Sequence, residues 1–84
     1  MKVKNLTMED IKNQGLKTYY KAVLFDELYC NVNDTVGRFE TLKEAKQECR
    51  RWINEEVDDG GFYEIWKYEI NSAGKYNRTE VICY

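Results

Sequence analysis

The chain has 84 residues, a net charge of −2, and side chains that are 43% hydrophobic and 14% aromatic. That is enough apolar material for one folded domain spanning 1–84, and it excludes a disordered chain. A generic nucleic-acid binder carries a basic surplus, so the overall charge makes direct nucleic-acid binding the less favoured class.

Further classes fall on local grounds. There is no apolar run near ~18 residues, which excludes a membrane-spanning helix, and the charged start "MKVKNLTMED" has no apolar segment typical of a signal peptide. Three cysteines, Cys30, Cys49 and Cys83, form neither an even set nor a CxxC pair; they read as small core side chains of a reducing, cytoplasmic protein. No proline, repeat or low-complexity tract marks a linker.

The first predicted element is a short helix over 8–14. Thr7 is its N-cap and Asp10 answers it as the capping-box acid, while Leu6 and Ile11 are spaced for a hydrophobic staple. Gly15 takes the left-handed position after the last turn, with Leu16 following in a Schellman arrangement. A helix this short needs tertiary packing to persist. Residues 16–25, "LKTYYKAVLF", then read as a strand with apolar groups on both faces, hence a central one. In 26–39 the pair Asn33-Asp34 signals a turn, and Thr35 to Phe39 reads as a strand entering the next helix.

That helix is predicted from Leu42 to about Val57, opened by a Thr41/Glu44 capping box. Leu42, Ala45, Cys49, Trp52, Ile53 and Val57 recur at helical spacing as its buried stripe. Lys43, Lys46, Glu48, Arg50, Arg51 and Glu55 fill the outer side. Its end breaks a rule: Glu55, Glu56, Asp58 and Asp59 crowd where the macrodipole favours cations. Locally broken rules are where function concentrates, and four acids there form a candidate patch for a basic partner.

The remaining residues, "FYEIWKYEINSAGKYNRTEVICY", read as a hairpin around Ser72-Ala73-Gly74, with Gly74 left-handed. Regular pairing outward from Asn71 and Lys75 sets Ile70 against Tyr76, Trp66 against Glu80 and Phe62 against Tyr84. The expected fold is α+β: an antiparallel sheet of about four strands, one long helix packed on one face and a short N-terminal helix. A helix of roughly 16 residues spans about 24 Å and cannot cover both sides of such a sheet. Aromatic surface is therefore left for a partner, and a homodimer through it is expected.

Catalytic chemistry finds little purchase. The chain has no histidine, and no GxSxG, P-loop or GxGxxG motif, so neither an enzyme nor a bound cofactor or metal is expected. A histidine-free ribonuclease using Tyr76, Arg78, Lys67 and Tyr68 ranks last, because small ribonuclease toxins are strongly basic.

The residues "GRFETLKEAK", 37–46, resemble a pattern of small bacteriophage and mobile-element proteins, in which a short strand leads through a capped start into a single long helix and a hairpin follows. That group includes anti-CRISPR proteins. The resemblance implies a protein without enzymatic activity that binds a host macromolecule, such as a protein or ribonucleoprotein complex with a basic surface. The expected function is thus a protein-binding inhibitor whose contact is Glu55, Glu56, Asp58 and Asp59, aided by Tyr68 and Tyr76. The alternative is a nucleic-acid or nucleotide binder using Tyr19, Tyr20, Trp66, Tyr68 and Tyr76.

Overall fold

The computed structural model describes residues 5–26, 31–55 and 61–83, with the backbone alone for 26, 31–34, 55 and 61. Its elements in chain order are α1 (Met8–Asn13), β1 (Thr18–Asp26), β2 (Asn31–Phe39), α2 (Leu42–Glu55), β3 (Gly61–Ile70) and β4 (Tyr76–Cys83). The strands form one antiparallel sheet in the order β2-β1-β3-β4, so β1 is internal and β2 and β4 are edges. This is the α+β arrangement expected from the pattern of the residues.

Both helix starts follow from their caps. At α1 the Thr7 hydroxyl accepts from the Asp10 amide at 3.1 Å, and the Asp10 carboxylate accepts from the Thr7 amide at 3.1 Å. The end is a full Schellman motif: Gly15 donates to the Lys12 carbonyl, Leu16 donates to the Ile11 carbonyl, and Gly15 has φ 65. At α2 the Glu44 amide donates to the Thr41 hydroxyl at 3.2 Å, but the Glu44 carboxylate takes that same hydroxyl at 3.0 Å rather than the Thr41 amide.

Helix α2 lies over β2, β1 and β3 and closes the main core. Ala22, Leu24, Val36, Phe39, Ala45, Cys49, Tyr63 and Ile65 are buried there, with Tyr20, Leu42, Trp52 and Ile82 packed against them. Helix α1 covers one end of the opposite face, where Leu6, Ile11 and Tyr19 are buried under Met8, Leu16, Tyr68 and Tyr76.

Several expectations are corrected. Asn33 and Asp34 are not a turn; they lie inside β2, whose register skips a residue between Val32 and Asp34 and again at Val36. Pairing with the central strand outweighs the local turn preference, and the bulges absorb the extra residues. Ile53 was expected in the buried stripe but is 46% exposed, while Glu48, expected on the outer side, is buried. Arg51 makes that burial possible by donating Nε–H to the Glu48 carboxylate at 2.8 Å. Cys49 is a core residue as expected, but Cys83 is exposed; Cys30 and Val57 lie outside the described residues.

The β3–β4 loop matches its sequence signature. Asn71 donates its amide to the Lys75 carbonyl at 2.8 Å, its Oδ1 accepts from the Ala73 and Lys75 amides, and Gly74 has φ 79. Ile70 pairs with Tyr76 as expected, but Trp66 faces Val81 rather than Glu80. The cause is a bulge: Tyr68 opposes Arg78 and Lys67 opposes Glu80, leaving Thr79 without an opposite residue. The Thr79 hydroxyl donates to the Glu69 carboxylate at 2.8 Å instead. Because side chains alternate faces, this one extra residue moves Glu80 and Ile82 to the α2 side and Val81 and Cys83 to the other. Tyr84, and with it the expected Phe62–Tyr84 pairing, lies outside the described residues.

Candidate functional site

The sheet face opposite α2 has two halves with different neighbours. Under α1, Tyr68 stacks on Tyr19 with ring centroids 4.9 Å apart and an interplanar angle of 4°, and Tyr76 meets Tyr19 edge-on at 5.2 Å. The Tyr76 hydroxyl donates to the Leu16 carbonyl, which ties β4 to the chain leaving α1. Tyr68 and Tyr76, two of the expected contact residues, are therefore half-buried parts of the α1 docking site. Burial and the neighbouring Tyr68 raise the pKa of the Tyr19 hydroxyl, and Arg38 opposes the rise.

The other half carries Lys21, Val23 and Phe25 from β1, Phe62, Glu64 and Trp66 from β3, and Val81 and Cys83 from β4, by alternation and register. Phe25 and Phe62 are cross-strand partners, and their rings stack at 5.5 Å with an interplanar angle of 7°. Trp66 meets Phe25 edge-on at 6.1 Å. Two cations lie over its indole: Lys21 Nζ is 5.5 Å and the Arg78 guanidinium carbon 4.8 Å from the ring centroid. The indole N–H donates to the Glu64 carboxylate at 2.9 Å, fixing the ring's direction.

Phe62 and Val81 are each 43% exposed, whereas Val23 is fully buried, so the apolar surface this half presents is that of Phe62 and Val81. Arg38 pairs with Lys21 across β1 and β2 and adds a third cation to the face. Its backbone is held by Asn5 and Leu6, whose Oδ1 and amide bond the Arg38 amide and carbonyl. Burial and the Arg38 charge both lower the pKa of Lys21. Among the described residues no acceptor meets the buried Arg38 Nε.

Of the expected site residues, the structure brings Tyr68 and Tyr76 together under α1. Glu55 is the last residue of α2, with only its backbone described, and Glu56, Asp58 and Asp59 lie outside the described residues. Of the five aromatics considered for nucleic acid, Tyr19, Tyr68 and Tyr76 sit under α1, Tyr20 packs on the α2 side, and Trp66 alone occupies the open half. Phe25 and Phe62 were missed as a pair, because their meeting depends on which strand lies beside β1. The signal was present in part, since Phe25 and Phe62 both end apolar alternations.

A cavity of about 660 Å³ lies on the outer side of α2, lined by Leu42, Lys43, Lys46, Gln47 and Arg50. Its cations lie one helical turn apart along a single stripe. Among the described residues no group of three or more histidine, cysteine or acidic side chains comes together, and no helix is long and apolar enough to cross a membrane. No known protein family, curated protein or solved structure matches the chain.

Proposed function

We propose that this chain is a non-enzymatic binding module that holds a macromolecular partner against the half of its sheet that α1 leaves uncovered. The observation that carries the reading is the cluster of Phe25, Phe62 and Trp66, with Phe62 and Val81 exposed and Lys21 and Arg78 held over the indole. Aromatic surface supplies binding energy at small cost in side-chain entropy, and cations beside it orient a partner of opposite charge. Inhibition of a host complex is the form of this activity that the resemblance of 37–46 favours.

The test is capture from bacterial lysate with native protein and with Phe62→Ala and Arg78→Ala variants of confirmed thermal stability. Loss of one captured macromolecule with both variants supports the reading. Equal capture by all three baits refutes it.

A second reading places the contact at the acids. Its support is the last turn of α2, which ends at Glu55 without a basic residue to answer the helix dipole. Changing Glu55, Glu56, Asp58 and Asp59 to Lys separates the two, since only the acid-led contact requires these carboxylates.

A further inference from the structure

We infer that the uncovered half of the sheet takes single-stranded nucleic acid, with bases on its aromatic rings and phosphates on its cations. This rests on the preceding reading of that half as a binding surface and names its ligand. Phe25 and Phe62 present parallel rings across two strands, and Phe62 is 43% exposed, so a flat apolar group has a place to stack. Lys21 and Arg78 lie over Trp66, whose ring is 6.1 Å from Phe25, so positive charge flanks the stacking surface.

The overall charge of −2 does not describe this surface. The Thr79 bulge puts Glu80 beside Lys67, on the other side of the sheet, and Glu69 is held there by Thr79 and lies 3.9 Å from Lys67 Nζ. Glu64 remains, and its carboxylate accepts the indole N–H of Trp66. Among the described residues no carboxylate forms an ion pair with Lys21, Arg38 or Arg78. Among the described residues the face therefore offers two cations at Trp66, Lys21 and Arg78, and one engaged acid to a polyanion with flat apolar groups, while the Arg38 side chain interacts with Tyr19 toward the α1 end.

Other occupants fit less well. A cationic ligand would meet an indole already occupied by two cations. A second copy docked face to face about a two-fold axis would set cations of one face against cations of the other, with Glu64 the one acid among the described residues of this half to answer them. Duplex DNA offers phosphate but hides the base faces that the rings would stack on.

The experiment is a fluorescence titration of the full chain, carrying Trp52→Phe so that Trp66 reports alone, with a 12-nucleotide single-stranded thymidine oligomer at low salt. Quenching is expected, with log affinity falling against log salt at a slope near −1.4, about −0.7 for each of two phosphates neutralised by Lys21 and Arg78. Phe62→Ala should weaken binding roughly fivefold to hundredfold at unchanged slope, the effect of removing one stacked base. Arg78→Ala should flatten the slope by about 0.7.

Absence of quenching at low salt overturns the inference, as does equal binding of a duplex with no dependence on Phe62. Failure with the oligomer while lysate capture still depends on Phe62 and Arg78 leaves the binding reading standing and removes its nucleic-acid form. Loss of both removes the binding reading itself. A dimer in light scattering that dissociates in Phe62→Ala, without oligomer binding, assigns the face to a second copy and overturns the inference.

Discussion

Deletion of Thr79, in the middle of an eight-residue strand, should leave the fold and the aromatic face in place. Deleting a residue from a regular strand turns every following side chain to the opposite face. Thr79 is not in a regular position: Arg78 opposes Tyr68 and Glu80 opposes Lys67, so no residue of β3 loses its partner when it is removed. The interaction forfeited is the exposed hydrogen bond to Glu69 at 2.8 Å, worth about 0.5–1.5 kcal/mol. At ~4–8 °C per kcal/mol for a domain of this size, the melting temperature should fall by no more than about 12 °C. Urea denaturation followed by tryptophan emission would give the free energy, and the Trp66 band should keep its native position. With regular pairing, deletion would instead carry Glu80 and Ile82 away from the faces they occupied, at a cost of several kcal/mol. A loss well above ~3 kcal/mol, or a changed Trp66 environment, would refute the bulged register.

Ile11→Ala should detach α1, because Ile11 is fully buried in the cluster that holds this six-residue helix; a loss of about 2–5 kcal/mol and faster amide exchange at Tyr19 are expected, against under ~1 kcal/mol for exposed Ile53→Ala. Gly37→Ala should destabilise the chain by about 1–3 kcal/mol in denaturant titrations, since the new methyl would lie 2.8 Å from the ring of buried Phe39 and 2.7 Å from Asn5. In a Cys30→Ala background, Cys83 should react at once with a thiol reagent, whereas fully buried Cys49 should wait for unfolding. Burial, aided by Glu48, pushes the Cys49 thiol from 9.0 up to about 12. The folded state thus keeps a proton that the unfolded chain releases, and stability should decline as pH rises from about 9 toward 12, less steeply in Cys49→Ala.

Legibility from sequence followed how local the determining contacts were. The caps of Thr7 and Thr41, the Gly15 turn and the 71–75 loop depend on residues within a few positions, and the structure repeats them. The internal place of β1 was also readable, because both of its faces carry apolar side chains. Register was harder. An extra residue at Thr79, or in β2 at Val36, leaves no mark in composition, yet it reassigns the faces of everything beyond it. The candidate face was illegible for the same reason: Phe25 meets Phe62 only because β1 and β3 are neighbours, a choice made by the whole sheet. The burial of Glu48 also escaped, since an acid three residues before Arg51 reads equally well as an exposed helical pair.

The strand order has a consequence for folding and for dissection of the chain. Strands β1 and β2 are joined locally, as are β3 and β4, and the β1–β3 pairing from Thr18↔Glu69 to Asp26↔Gly61 joins the two hairpins. Those contacts span long stretches of chain, so closing this seam is the step with the largest loop-closure cost and should govern the folding rate. Phe25 and Lys21 come from one side of the seam, and Phe62, Trp66 and Arg78 from the other. Neither hairpin alone can assemble that surface. A ligand recognising the joined surface would therefore promote reassociation of two separately made halves, turning fragment complementation into a readout of occupancy.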